Sequence, residues 1–150
     1  MFIEGLSNEV KATVVSGHTN AGQAAVTGTH VDMGGTVGFD SVMFIFVLGT
    51  VSAGSVMVAK AQEGNNSGDS DQADIAGTSV SVTDSGGASS NKIAAIVDVV
   101  KPQKRFVRPV ITPGTANAEI DMIIALQYNA RSRPTVQDAS VLAQSLTTGV

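Results

Sequence analysis

The sequence contains no cysteine and no tryptophan. Without cysteine, the chain has no disulfide, no thiolate nucleophile and no cysteine ligands for zinc or iron–sulfur clusters. Five phenylalanines and one tyrosine in 150 residues are few for a surface that stacks sugars or bases. Charged residues make up 15% of the chain, against about 25% in an average globular domain. These shortages exclude several classes of enzyme and binding protein and leave a chain rich in apolar residues and glycine.

Charge is distributed unevenly along the chain, which has 13 acidic and 9 basic residues and a net charge of −4. Residues 1–75 contain 8 acidic and 2 basic residues, whereas residues 76–150 contain 5 acidic and 7 basic residues. The acidic balance disfavours general binding to polyphosphates, so we expect no nucleic-acid partner. The basic second half still allows a local contact with a negatively charged surface.

The sequence also shows no segment that would direct a protein to or across a membrane. Residues 1–5 contain neither the basic nor the apolar region of a secretory signal. The longest apolar run, Val42 to Leu48, is far shorter than the roughly 20 residues that span a bilayer. We therefore expect no membrane partner and synthesis in a cytoplasm.

The clearest structural signal is an alternation of apolar and polar residues over 119–129. One face of this segment carries Ile120, Met122, Ile124, Leu126 and Tyr128. The opposite face carries polar residues such as Glu119 and Gln127. A period of two is typical of a strand with one buried side, so the pattern predicts that the Ile120–Tyr128 face lies in the core.

Other short strands are predicted between turn residues, over 13–15, 23–27, 29–33, 42–48, 56–61, 79–83, 93–100 and 106–112. The run 42–48 is apolar on both faces, which predicts a central strand with 56–61 as its antiparallel neighbour. Pro109 lacks a backbone N–H and predicts a sheet edge or bulge for 106–112. The polar stretch 63–74 predicts a long exposed loop.

About eight short antiparallel strands in one chain predict an all-β fold, a single β-sandwich with a jelly-roll-like topology. We divide the chain into an N-terminal arm over residues 1–12, the sandwich over 13–130 and an irregular C-terminal tail over 131–150. Within the tail, the apolar spacing over 136–146 predicts an extended or partly helical segment.

Candidate chemistry is sparse. Asp84–Gly87 resembles protease motifs, but the partner residues of those motifs are missing, and the segment fits a hairpin loop. The spacing of His18, His30 and Asp32 matches no metal site. The acidic residues between 69 and 74 lack the offsets of a calcium loop. We therefore predict no catalytic residue, no metal ligand and no cofactor.

The most distinctive segment is basic and contains Lys101, Lys104, Arg105 and Arg108 within eight positions. Arg131 and Arg133 follow the clearest strand. Arginine pairs well with carboxylates, so the segment could dock a negatively charged partner. Lysine and proline also protect exposed edge strands from unwanted pairing. The residues favour neither interpretation over the other.

The segments Val99–Pro109, Ala116–Ile120 and Ile124–Tyr128 resemble small virion proteins of tailed bacteriophages. The resemblance covers roughly residues 13–135. Such proteins include capsid cement, or decoration, proteins, several of which are jelly rolls. The resemblance implies binding to the outer surface of the expanded shell as dimers or trimers, and it implies no catalytic residues.

We therefore expect a structural virion protein that binds the major capsid protein, forms a homodimer or homotrimer, and stabilises the shell by bridging capsomers. It would be made in the host bacterial cytoplasm and lie on the outer capsid surface. The expected contact residues are Met1, Phe2, Ile3, Leu6, Val10, Lys101, Lys104, Arg105, Phe106, Arg108, Arg131 and Arg133. Two alternatives stay open: a tail or head–tail connector component, and a carbohydrate- or ligand-binding β-sandwich.

Overall fold

The computed structural model describes residues 5–84 and 92–145, which form eleven β-strands and one short 3-10 helix, η1 (Leu6–Asn8). No α-helix occurs in these residues, and none of their helices has the length and hydropathy needed to cross a membrane. The strands are β1 (Lys11–Ser16), β2 (Thr19–Gly22), β3 (Val26–Thr27), β4 (Val31–Asp32), β5 (Phe39–Val51), β6 (Ser55–Gly64), β7 (Ala73–Asp74), β8 (Val80–Asp84), β9 (Ile93–Val100), β10 (Phe106–Gly114) and β11 (Ala118–Ala130).

The strands form two antiparallel sheets. Sheet 1 has the order β1-β11-β5-β9, and β2 also pairs with β11. Sheet 2 has the order β3-β10-β6-β7, with β4 beside β10 and β8 beside β6. The two sheets pack face to face, which confirms the predicted β-sandwich; the jelly-roll topology stays a prediction.

The core lies between the sheets and is built mostly from aliphatic side chains and three phenylalanines. From sheet 1, Phe44 and Phe46 of β5 are fully buried. From sheet 2, Met57 of β6 and Ile111 of β10 meet them, also fully buried. Burial of large apolar side chains is the main stabilising contribution, about 1.5–3 kcal/mol for each residue. As predicted, β5 is a central strand, paired on both sides.

The strands β5 and β6 are not neighbours, so the predicted antiparallel pairing of 42–48 with 56–61 is wrong. The short connection at residues 52–54 carries the chain from sheet 1 to sheet 2. Ser52 N–H donates to the carbonyl of Asn117 at 2.9 Å, and the buried Ser55 hydroxyl donates to Ala116 at 3.0 Å. These hydrogen bonds to the β10–β11 connection fix the point where the chain crosses between the sheets. The sequence does not reveal this crossing, because the patterns of 42–48 and 56–61 do not show whether the two strands pair or lie in different sheets.

The predicted core face of β11 is also wrong beyond Ile120. Opposite β5, Ile120 pairs with Leu48 and Met122 pairs with Val47, so Asp121 is an extra residue in β11. This β-bulge reverses the alternation that follows it. The core side chains of β11 are Ala118, Ile120, Ile123, Ala125 and Gln127. The side chains of Met122, Ile124, Leu126 and Tyr128 point away from the core.

β10 is an interior strand with an unbroken register against β6, so the sheet edge or bulge predicted from Pro109 is wrong. Pro109 lies opposite Ala61 of β6. On its other side, its carbonyl accepts the N–H of Gly28 at 3.0 Å, in the gap between β3 and β4. Carbonyl and nitrogen of one strand residue point to the same side, so the missing N–H faces this gap. Because β3 ends and β4 begins around this gap, Pro109 fits within the sheet without leaving a hydrogen-bond acceptor of a neighbouring strand unpaired.

Two smaller predictions are corrected, and one of the alternatives for the tail is excluded. β8 and β9 belong to different sheets, so Asp84–Gly87 does not begin a hairpin; residues 85–91 lie outside the described residues. His30 lies between β3 and β4 rather than within a strand. Residues 136–145 contain no helix, so the described part of the tail is irregular, as predicted, and only the partly helical alternative is wrong there.

Candidate functional site

A cleft of about 500 Å³ lies where the β9–β10 loop, residues 101–105, passes from sheet 1 to sheet 2. Four of the predicted contact residues line it: Lys101, Lys104, Arg105 and Arg131. The first three belong to this loop, and Arg131 follows β11 directly. We call the cleft with these four side chains the basic cleft. It joins two parts of the sequence that were predicted separately to contact a partner.

Arg105 is held by a two-point ion pair with Asp32 of β4. Its Nε lies 2.8 Å from Oδ1 and its Nη2 lies 2.7 Å from Oδ2 of Asp32. The guanidinium lowers the pKa of the Asp32 carboxyl, and the N–H of Gly34 lowers it further. The guanidinium also lies 5.1 Å from the ring centre of Phe106. These contacts fix the direction of Arg105, whose side chain is still 53% exposed.

Arg131 is placed by a second carboxylate, since its Nε lies 2.8 Å from Oδ1 of Asp40. Its backbone N–H donates to the carbonyl of Gly38 at 3.0 Å. A Cβ on Gly38 would lie 3.2 Å from the Arg131 side chain, and its φ of +65° favours glycine. Two aspartates, 73 and 91 positions from their respective arginines, thus orient the two arginines of the basic cleft.

The two lysines of the cleft have no such partner. Neither Lys101 nor Lys104 forms an ion pair within residues 5–84 and 92–145. Their backbone is nevertheless fixed, because Lys101 N–H donates to the carbonyl of Asp40 at 2.7 Å. Glu63 accepts the N–H groups of Gln103 and Lys104. The loop therefore presents the ammonium groups of Lys101 and Lys104 from a backbone that is fixed by hydrogen bonds.

The other predicted basic contacts lie elsewhere. Arg108, on β10, donates to Gln62 at 2.9 Å and lies 3.8 Å from a carboxylate oxygen of Asp69. Arg133 is 3.0 Å from Glu9 in the arm. Phe106 is only 8% exposed and packs edge-on against His30 with ring centres 4.9 Å apart. Its contribution is support beneath Arg105 rather than an exposed contact.

The predicted arm is partly described: Met1, Phe2 and Ile3 lie outside the described residues. Leu6, in η1, is 72% exposed, and Val10 is half-buried. Both line two adjoining grooves of about 300 and 370 Å³ on the outer side of sheet 1, with Leu126 as a shared wall. The last two residues assigned to the arm, 11 and 12, already belong to β1.

The C-terminal tail fastens the arm and the free edge of β1, which the sequence did not indicate. The side chain of Gln137 accepts the N–H of Ala12 at 2.9 Å and donates to the carbonyls of Ser7 and Val10. Ser140 accepts the N–H of Val14 at 3.1 Å. Side chains therefore satisfy backbone donors along this edge, which limits pairing with foreign strands.

A second surface, also missed in the sequence, is the outer side of sheet 1. Val14, Ile124, Ile45 and Ile96 lie opposite one another across four strands. We call this outer surface the apolar face; it consists of Val14, Met43, Ile45, Val47, Ile93, Ile96, Met122, Ile124 and Leu126. Several members are well exposed, including Ile96 at 53% and Met122 at 37%. The bulge at Asp121 is what turns the β11 members outward.

The histidines lie apart and each contacts one carboxylate. His18 Nδ1 lies 3.1 Å from Asp121, and His30 Nδ1 lies 2.9 Å from Asp69. The hydrogen bond to Asp121 raises the pKa of His18. Within the described part of the chain, no group of three or more potential ligands is placed to hold a metal ion.

No protein-family model and no curated protein sequence matches the chain. Among solved structures, the chain is similar to the structure of Eiger TNF from S. frugiperda. The TM-score is 0.36 with 9% sequence identity, over 92% of this chain and 99% of that chain. A likeness at this level implies nothing about function.

Proposed function

We propose that the protein is a structural virion subunit that binds the outer surface of a tailed-phage capsid and stabilises it by bridging capsomers. The observation that carries this proposal is the basic cleft, which gathers four cations, two of them paired with Asp32 and Asp40, on a chain of net charge −4. Three of its four cations come from Val99–Pro109, a segment that resembles small virion proteins. The partner of this cleft is an acidic patch of the major capsid protein.

The cations of the cleft suit a protein surface with several carboxylates. Lys101 and Lys104 have ammonium groups without an ion-pair partner among the described residues. Arg105 and Arg131 are held by Asp32 and Asp40, which reduces the entropy lost when they bind a partner. Such a charged contact speeds association and weakens as salt screens it.

Bridging follows from combining several modest contacts. A subunit that touches two capsid proteins, or an oligomer that presents several basic clefts, gains from the high effective concentration of its second contact. Each contact then resists the separation of neighbouring capsomers. The proposal therefore requires no chemical step, and the stabilisation is mechanical.

The proposal is tested by sedimenting the protein with emptied, expanded phage shells over a series of salt concentrations. The variant Lys101→Ala/Lys104→Ala should bind about tenfold more weakly at low salt and show a flatter salt dependence. The matched control is Lys11→Ala/Lys60→Ala, which removes the same charge from residues that do not line the cleft. An unchanged affinity of the cleft variant, or an equal loss in the control, would contradict the assigned contact.

A further inference from the structure

We propose that the apolar face of sheet 1 is the surface through which two copies of this chain form a symmetric dimer. The proposal concerns a surface separate from the basic cleft and requires no property of a phage shell. It arises from three features of the apolar face: its registered aliphatic rows, the absence of charge from its nine side chains, and a projecting side chain beside two grooves.

The first feature is a flat arrangement of aliphatic side chains. In the central row, Ile45 of β5 stands between Ile124 and Ile96, and Val14 completes the row on β1. A parallel row places Val47 between Met122 and Ile93. With strands about 4.8 Å apart and residues about 3.3 Å apart, these rows and their neighbours cover roughly 300 Å² of flat surface. Apolar patches of this extent are often functional.

The second feature is the charge of the face, which favours a second copy over a charged partner. One acidic residue, Asp98 of β9, lies opposite Met43 at the border of the apolar face, where it accepts the hydroxyl of Tyr128 at 2.7 Å. In a two-fold contact, each surface meets its own copy, so a charged face would repel itself. The nine side chains of the apolar face carry no charge, so they can meet their copies without burying an unpaired charge when Asp98 lies at the rim of the contact.

The third feature is self-complementary shape at one end of the face. Leu6 is 72% exposed and stands between the two grooves of about 300 and 370 Å³ that share Leu126. A two-fold rotation that stacks the faces can place Leu6 of each copy in a groove of the other. The projection and its recess lie on the same surface, which is what a symmetric interface needs.

A symmetric dimer needs more contact area than the roughly 300 Å² of the apolar face alone. Standard interfaces bury about 800 Å² on each partner, with an apolar centre and a polar rim. The apolar face supplies the centre, while η1 and the described tail residues lie beside it and supply the rim. Face-to-face packing would bring the two copies of sheet 1 to about 10 Å apart, as in a β-sandwich.

The test is sedimentation equilibrium of the full chain without any shell. The wild-type protein should form a species of twice the 15.2 kDa chain mass. Ile96→Glu, on a 53% exposed side chain, should weaken dimerisation about tenfold or more. Val14→Glu, on another exposed member of the face, should act in the same direction and guards against a local folding defect in one variant.

The matched control is Val80→Glu, which makes the same type of change on a 40% exposed residue of sheet 2. It should leave the dimer unchanged. A wild-type monomer or trimer, or a dimer that survives both Ile96→Glu and Val14→Glu, would overturn the proposal. A protein that forms this dimer but does not bind phage shells in the separate shell-binding experiment would contradict the proposed function and leave the dimer proposal intact.

Discussion

Glu63 holds the main chain of Lys104, although the two residues are 41 positions apart in sequence. One oxygen of its carboxylate accepts the backbone N–H of Lys104 at 3.2 Å and that of Gln103 at 2.8 Å. The basic cleft therefore depends on an acidic residue at the end of β6. Because the acceptor is charged, both hydrogen bonds are stronger than those between neutral groups, so removing the Glu63 carboxylate should have a measurable effect on the loop.

We predict that Glu63→Ala loosens the loop of the basic cleft. The amides of Gln103 and Lys104 should exchange with solvent faster, and the free energy of unfolding should fall by about 1 kcal/mol. Hydrogen exchange and urea unfolding measure the two effects. Glu63→Gln keeps an acceptor oxygen and should show a smaller change in both. Unaltered exchange at both amides in the alanine variant would refute this role.

The ion pair between Asp32 and Arg105 predicts a specific pH dependence. Because the pKa of Asp32 is lowered from its ordinary value of 3.8 in the folded state, its ionised form stabilises the fold above that pH. The contribution disappears as the pH falls through the lowered value. Asp32→Asn should therefore destabilise the protein at neutral pH, by about 1 kcal/mol or less for an exposed pair.

Urea unfolding between acidic and neutral pH checks this prediction. The stability difference between wild type and Asp32→Asn should shrink as the pH falls below the ordinary carboxyl pKa. Arg105→Ala is the matching change on the other side of the pair and should remove the larger share of the pH-dependent part, because the N–H of Gly34 still lowers the pKa of Asp32. A difference that is constant over the whole range would show that the pair contributes nothing through ionisation.

The bonds of Gln137 predict that the tail protects the edge of sheet 1. Gln137→Ala leaves the N–H of Ala12 without its acceptor and leaves the carbonyls of Ser7 and Val10 to share the hydroxyl of Thr135, at a cost of about 1–3 kcal/mol. An opened edge should also promote association through strand pairing. Gln144→Ala, in the same tail, removes a side chain with no hydrogen bond among the described residues and should change little. Urea unfolding and light scattering on both variants decide the point; equal behaviour would contradict the protective role.

The gap between β3 and β4 predicts a steric requirement for glycine at position 28. A Cβ on Gly28 would lie 2.7 Å from Cγ and 3.1 Å from Cδ of Pro109, a rigid ring in an interior strand. Gly28→Ala should therefore lower the free energy of unfolding by about 1–3 kcal/mol. Gly17→Ala is the control, because a Cβ there meets nothing within 4 Å. A Gly28→Ala variant as stable as Gly17→Ala would contradict this packing.

Alternation in the sequence was sufficient to predict the strands and the sandwich, because side-chain burial has a period of two in both sheets. It failed at β11, where the single extra residue Asp121 reverses the alternation without leaving a sequence signal. Both faces of β11 are rich in apolar residues, so the sequence does not show which of the two faces lies in the core. Val42–Leu48 was assigned correctly because a strand apolar on both sides fits a central position in either register.

The candidate site was predictable only in part. The charge density of residues 101–108 indicated the basic loop directly. The carboxylates that orient it, Asp32, Asp40 and Glu63, come from strands that only the fold brings near. The sheet edge predicted from Pro109 is wrong because Pro109 faces the gap between β3 and β4, where no N–H is needed to pair with a neighbouring strand. The local sequence therefore indicates the charge of a segment, whereas the pairing of distant strands determines which residues contact it.

The most direct test of the proposed function is electron cryo-microscopy of emptied, expanded phage shells mixed with the purified protein. Bridging of capsomers predicts extra density on the outer surface at local two-fold or three-fold positions. The basic cleft of each bound subunit should face the capsid protein. Density confined to the portal vertex or tail would indicate a connector component instead, and shells without extra density would contradict capsid binding altogether.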